Sequence, residues 1–236
     1  MCGRYVRRSD KQRIAEAMRV NNDLTSMSIS PSDYNIAPST FQAVIRESRE
    51  DQTREMVLMR WGLIPFFTKQ FSDIRGISTI NARAESLQKS LAWSEPFRKR
   101  RCLVPANAFY EWKKVDAKTK QPYAFTVADE PLFAFAGLWD AWKDAQGQWL
   151  QSFTIVTTEA NELMAQVHTR MPVILQAKDY DRWLSREVTE QPPADLLRPF
   201  DTEAMEMVAA NPMVGNVRNN GPEMLGGTVD QMLNSA

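Results

Sequence analysis

Histidine and cysteine are nearly absent from this chain, with one histidine and two cysteines among 236 residues. A single imidazole excludes the multi-histidine zinc and iron centres. Two cysteines as far apart as Cys2 and Cys102 exclude a disulfide framework or a metal knuckle. That usage implies a reduced compartment, with no cofactor and no metal. Long apolar runs are missing as well. No stretch approaches the roughly 18 residues of a membrane span, and no apolar segment of a signal peptide follows Arg4, Arg7 and Arg8. The expectation is a cytoplasmic protein, at the nucleoid when on DNA, with no membrane partner. Net charge is absent too, since 29 basic residues balance 29 acidic ones. This excludes a protein that coats nucleic acid by charge alone, though it allows a local basic groove. Arg4, Arg7 and Arg8 are one candidate for such a groove. Arg98-Lys99-Arg100-Arg101 is a second, equally readable as a solvated face.

What is present is enough apolar residue, 43%, to build a large core. A helix is expected after the N-terminal segment, capped by Ser9 with Gln12 completing a capping box and Ile14, Ala15 and Met18 as its apolar stripe. Pro31 to Thr40 reads as an ordered loop. Strands are expected at 41–46 and 56–61 around a polar turn, then at 102–104, 109–113, 123–127, 133–138 and 152–157. Between Trp61 and Asn81 the chain reads as loop. Helices should follow at 159–166, 178–184 and 194–197, and extended segments at 206–209 and 213–214. Strands so spaced, with few helices between them, predict an α+β fold. It would be a single compact domain over 1–236, around a curled, largely antiparallel β-sheet or barrel with peripheral helices. Residues 221–236 read as a C-terminal tail.

Cys2 follows Met1 directly. Once the methionine is removed, the cysteine carries an α-amine and a thiol on adjacent carbons, each partly reactive near neutral pH. An aldehyde can condense with the nitrogen, after which the sulfur closes a five-membered thiazolidine ring in an intramolecular step. His168, in His168-Thr169-Arg170-Met171-Pro172, is the one imidazole available for acid–base work, and it sits at a helix-to-strand junction. Glu111 lies among the aromatics of Phe109-Tyr110-Glu111-Trp112. Strand alternation puts it on the face of Phe109, away from Tyr110 and Trp112. Asn81-Ala82-Arg83 joins an amide to a guanidinium that can fork onto phosphate or carboxylate. Tyr34-Asn35-Ile36-Ala37-Pro38 and Gly215-Asn216-Val217-Arg218-Asn219-Asn220 are weaker signals, the second reading as a turn.

In order, these segments resemble the SRAP family, the SOS-response-associated peptidases that process abasic sites in DNA. The matching pieces are Met1-Cys2-Gly3-Arg4-Tyr5, Tyr34–Pro38, Trp61-Gly62-Leu63-Ile64-Pro65, Ile80–Glu85, Arg101–Ala106, Phe109–Trp112, His168–Pro172 and Gly215–Asn219. They span positions 1 to about 220. The resemblance implies that Cys2 traps the ring-opened aldehyde of an abasic site in single-stranded DNA as a thiazolidine, and that Asn81 positions the cysteine and the sugar. By the same likeness Glu111 is the acid–base for Schiff-base formation and reversal, and His168 assists opening of the deoxyribose. Arg4 and Arg83 would flank the lesion at phosphates. Trp61, Phe66, Phe67, Asn35, Arg170 and Arg218 join them as expected DNA contacts, and a monomer is expected. The chain departs from the family pattern at Phe66-Phe67, where tryptophan is common, at Ala108, where glycine is, and at Ser86, where threonine is. Two other readings remain open at this point. One is a cysteine peptidase or N-terminal-nucleophile amidase with His168 as base. The other is a non-covalent single-strand-binding module.

Overall fold

A computed structural model describes residues 2–187 and 191–226. Its strands are β1 (Arg4–Arg7), β2 (Asp33–Ile36), β3 (Phe41–Glu47), β4 (Arg54–Trp61), β5 (Asn81–Arg83), β6 (Arg101–Ala106) and β7 (Ala108–Lys114). Then come β8 (Lys120–Val127), β9 (Phe133–Lys143), β10 (Trp149–Glu159), β11 (Arg170–Pro172), β12 (Ile174–Leu175) and β13 (Met205–Ala209). Four short helices lie outside them: α1 (Lys11–Met18), α2 (Ser94–Lys99), α3 (Glu162–Ala165) and α4 (Tyr180–Leu184). The fold is mixed α+β and mostly strand, as expected.

The strands make two layers. One closes on itself in the order β10-β4-β3-β6-β9 and back to β10, a five-stranded barrel with β5, β11 and β12 attached at its rim. Closure removes sheet edges and their unpaired backbone groups. It needs one feature the strand spacing did not suggest, a parallel pairing of β10 with β4 and with β5. The other layer is an open antiparallel sheet, β13-β8-β7-β1-β2. A shared core joins the two layers, with Tyr5 and Phe109 of the open sheet packed among Trp61, Phe135 and Phe153 of the barrel. Tyr5 meets Trp61 and Phe135 edge-on, at centroid separations of 5.3 and 6.0 Å, and such pairs add about 0.5–1.5 kcal/mol each beyond burial. Inside the barrel Gly137 is required by space. A Cβ there would lie 2.8 Å from Cys102 Sγ and 2.9 Å from Val104.

Several local expectations are corrected. The cap of α1 is Asp10, whose carboxylate accepts the Arg13 N–H at 2.9 Å. Ser9 is otherwise engaged, its hydroxyl accepting from Asn107 Nδ2 at 3.1 Å and its carbonyl from Arg7 at 2.9 Å. The loop read at 31–40 contains β2, an edge strand on β1. The first late helix shrinks to α3 because β10 continues to Glu159 and Asn161 then caps the turn. Residues 213–214 belong to a 3-10 turn, Pro212–Gly215, started by the Asn211 side chain. The segment 206–209 does return to the sheet, as β13. Beyond residue 226 the expected C-terminal tail lies outside the described residues. No described helix is long and apolar enough to cross a membrane.

Candidate active site

The antiparallel register of β1 on β7 pairs Arg4 with Tyr110 and Tyr5 with Phe109. Carried one residue beyond β1, that register would set Gly3 opposite Glu111, with Cys2 the next residue along. Cys2 and Glu111 are both buried, to 1% and 6% exposure. Alternation along β7 holds, with Phe109 in the core cluster of Cys2 and Tyr110 in a separate one beside Trp112. Burial pushes the Cys2 thiol up from its ordinary range, and the nearby Glu111 charge pushes it further. The sulfur, 4.0 Å from the Arg4 carbonyl oxygen, is therefore held as a neutral thiol.

Asn81 enters from the other layer. As the first residue of β5 it sits opposite Ile155 of β10. It is 8% exposed, and neither end of its amide has a hydrogen-bond partner. A buried amide with both ends unmet costs of order 1–3 kcal/mol per group, which marks a position waiting for a polar ligand. Asn81 and the exposed Arg83 line an open cleft of about 630 Å³, together with Phe67, Ile77 and Trp93.

The aromatic pair lies on a pinned loop. Gly62, at φ +112°, turns the chain out of β4 in a backbone conformation that favours glycine. Three side chains from the β9–β10 hairpin then hold the loop by its backbone. Ser152 Oγ accepts the Ile64 N–H at 2.8 Å, Asp140 accepts the Phe66 N–H at 3.0 Å, and Trp142 Nε1 donates to the Thr68 carbonyl at 2.6 Å. Asp140 is buried against Arg100 at 3.2 Å. Burial raises its pKa, while Arg100 and the N–H donors of Phe66 and Ala141 oppose the rise. So held, Phe66 and Phe67 stand 56% and 43% exposed, edge-to-face at 5.4 Å. Sequence reasoning missed Asp140, Trp142 and Ser152. The available signal was an acid inside the otherwise apolar run Phe133–Trp142.

His168 is half-buried at the end of α3. Its Nδ1 accepts the Arg170 N–H at 3.0 Å, which leaves the proton of the neutral ring on Nε2. The Arg170 side chain forks onto Glu85 at 2.9 and 3.1 Å and donates to the Thr157 carbonyl at 2.6 Å. That clamp ties the His168 turn to the segment following Asn81 and Arg83.

The remaining expected contacts divide sharply. Trp61 is wholly buried, its indole N–H on the Ile80 carbonyl at 2.9 Å and its ring stacked on Phe153 at 6.3 Å. It offers no face to a base. Asn35 is buried and donates to the carbonyls of Val214, Asn216 and Asn219. It also accepts from Arg4 at 2.8 Å, and Arg4 reaches the Val214 carbonyl as well. The Tyr34–Pro38 and Gly215–Asn220 segments, read separately in the sequence, thus dock on each other. Arg218, like Arg83, is exposed. The second basic cluster is not a groove. Arg101 is buried on the carbonyls of Phe97, Arg98, Trp183 and Ser185, and Arg100 and Lys99 pair with acidic neighbours.

A barrel with a sheet laid against it, a buried cysteine in the field of a buried carboxylate, and a buried amide without a partner together make the candidate site. Residues 1–217 match the model of the SOS response associated peptidase (SRAP) family. The chain belongs to that family. It is 38% identical to the abasic site processing protein YoqW of Bacillus subtilis over 226 residues, covering 95% of this chain and 99% of that one. YoaM of the same organism, also named an abasic site processing protein, is 37% identical over 95% of this chain and 97% of its own. A crystal structure of a protein from Bacteroides thetaiotaomicron superposes with a TM-score of 0.84 at 29% identity, covering 95% of this chain and 99% of that chain.

Proposed function

We propose that this protein captures abasic sites in single-stranded DNA as a covalent thiazolidine on Cys2, after Met1 has been removed. The observation that carries the reading is the buried Cys2 thiol within the field of the Glu111 carboxylate. A thiol held neutral is a poor first nucleophile, so the order of bond formation is amine first and sulfur second. His168 gives its Nε2 proton to the ring oxygen as the C1′–O4′ bond breaks and takes the C1′ hydroxyl proton back on the same nitrogen, so the aldehyde forms with no net change on the imidazole. The Cys2 nitrogen adds to C1′, one N–H proton moves to the new alkoxide, and Glu111 carries the second to the resulting hydroxyl as water leaves the imine. Cys2 Sγ adds to the same carbon while its proton moves to nitrogen, closing the ring. One water is lost in all, and no oxidant or reductant is needed. Reversal runs through the same groups. Asn81 holds the sugar with an amide that otherwise has no partner, and the exposed Arg83 takes a flanking phosphate.

The test is intact-mass measurement after incubation with an oligonucleotide carrying one abasic site. A heat-stable adduct at the summed mass less one water is expected, absent in Cys2→Ala and in chains that retain Met1. A Cys2→Ala protein that still forms the adduct overturns the mechanism, and peptide turnover in trans without adduct would point to an amidase. Equal capture from fully paired duplex would remove the single-strand preference, which follows from the need to unstack the reacting nucleotide.

A further inference from the structure

Charge is balanced over the whole chain but not along it. The β7–β8 hairpin carries Lys113, Lys114, Lys118 and Lys120 against a single acid, Asp116, and all five are exposed. Asp116 is engaged by the turn, its carboxylate accepting the Lys118 and Thr119 N–H groups at 2.7 and 2.8 Å. Lys114 stands directly opposite Lys120 across the ladder, and like charges so placed destabilise a sheet. None of the four lysines forms an ion pair among the described residues. The patch grows out of the strand that carries Glu111. Alternation along β7 sets Lys113 on the face of Glu111 and Lys114 on the face of Trp112. The Arg4 guanidinium lies over that indole, 5.9 Å from its centroid. Two residues of strand span about 6.6 Å, so Lys113 stands one such step out from Glu111, and the turn at Asp116 lies roughly 17 Å out.

We propose that the β7–β8 hairpin is a docking arm for the DNA backbone, taking phosphates of the strand several nucleotides beyond the lesion on one side. The proposal rests on the capture reading, which sets the abasic sugar at Glu111. A polyanion is the partner that fits this patch. Ammonium groups on flexible stems meet successive phosphates as point charges and carry no sequence information. Each phosphate met there also offsets the repulsion between Lys114 and Lys120. Residues 113–120 include no aromatic side chain, so the arm holds the strand by charge and is indifferent to its bases. A strand with further bases missing on that side would be held as well as an intact one.

The experiment uses the full chain and single strands in which the lesion is a tetrahydrofuran unit, which cannot form an imine. Affinity is then read apart from any covalent step. The strands are short on both sides of the lesion, lengthened on the 5′ side alone, or lengthened on the 3′ side alone. The wild-type chain should gain affinity from lengthening on one side and little from the other. A chain with Lys113→Gln, Lys114→Gln, Lys118→Gln and Lys120→Gln together should lose that gain while binding the short strand nearly as well. On the strand that gave the gain, its slope of log affinity against log salt should fall by about 0.7 per phosphate released, roughly 1.4–2.8 in all. Lys→Arg at the same four positions should keep both gain and slope, because the charge is kept. A gain that survives in the Lys→Gln chain overturns the arm. So does a loss of equal size on all three strands, the mark of altered overall charge, or a wild-type chain that gains from neither side. Failure of the capture reading would show separately, as a missing adduct with a true abasic strand, whatever these affinities are.

Discussion

The two halves of the site are held in different ways. Glu111 belongs to the open sheet, where β7 is laddered to β1 on one side and β8 on the other, and Cys2 stands two residues ahead of β1. Phe66 and Phe67 belong to a loop with no ladder of its own, fixed by Ser152, Asp140 and Trp142 acting on its backbone. A ladder places a side chain through many cooperating bonds, and single substitutions move it little. A loop pinned at three points depends on each pin. On the proposed mechanism the difference separates two kinds of work: Glu111 acts from the laddered half, and the exposed rings meet DNA from the half that individual side chains can release.

The sharpest way to probe the ladder half is to change its chemistry while leaving its shape. Glu111→Gln is isosteric and should slow both adduct formation and release by about 10²–10⁴, the usual contribution of a positioned acid–base. A release time course from preformed adduct is the measurement, and release at the unmodified rate would remove Glu111 from the mechanism. His168→Ala should slow formation and leave the finished adduct durable. The loop half should respond differently. Asp140→Ala strips the acceptor from the Phe66 N–H and the counter-charge from Arg100, at a cost of about 1–3 kcal/mol in urea unfolding. Its functional deficit should fall on the DNA concentration needed for half-maximal capture, more than on the limiting rate. A deficit confined to the limiting rate would dissolve the division between the halves.

Smaller effects refine it. Arg83→Gln should lower the slope of log affinity against log salt by about 1, as removal of one phosphate contact does. Glu85→Gln breaks the fork onto Arg170. The Arg170 hydrogen bonds hold the Glu85 carboxyl below its ordinary range. A carboxyl depressed by folding contributes stability above its unfolded pKa and loses it as pH falls through the folded one. The gap between wild type and Glu85→Gln should thus be constant at neutral pH and close on acidification. Because Glu85 is largely exposed, the gap should be at most about 0.5 kcal/mol.

The strands were readable because period-two alternation and polar turns are local signals. Turn 144–148 is one case, with Asp144 accepting the Gln146 and Gln148 N–H groups. Barrel closure was not readable, because the parallel pairing of Ser152 with Arg60 and Phe153 with Trp61 joins strands far apart in sequence. A three-residue strand such as β5 is too short to carry a period. Within the site, Cys2 and Glu111 were legible from chain position and from alternation. Trp61, Asn35 and Arg170 were legible as residues of consequence but not by orientation. An indole or guanidinium has the same letter whether it faces a strand of DNA or a carbonyl of its own chain. The loop pins escaped notice because their partners are backbone groups about 75 to 90 residues away.

The pairing of Arg4 with Tyr110 has a consequence in time. The residues that begin this chain are made first, yet the strand that shelters them is made about a hundred residues later. At synthesis rates of about 5–20 residues per second, the N-terminal segment waits roughly 5–20 s for its partner. During that interval Cys2 has no β7 near it, no Glu111 beside it and no core around its sulfur. It is then part of a plain unfolded chain. The length of that interval is set by the pace of translation and by where β7 falls in the message.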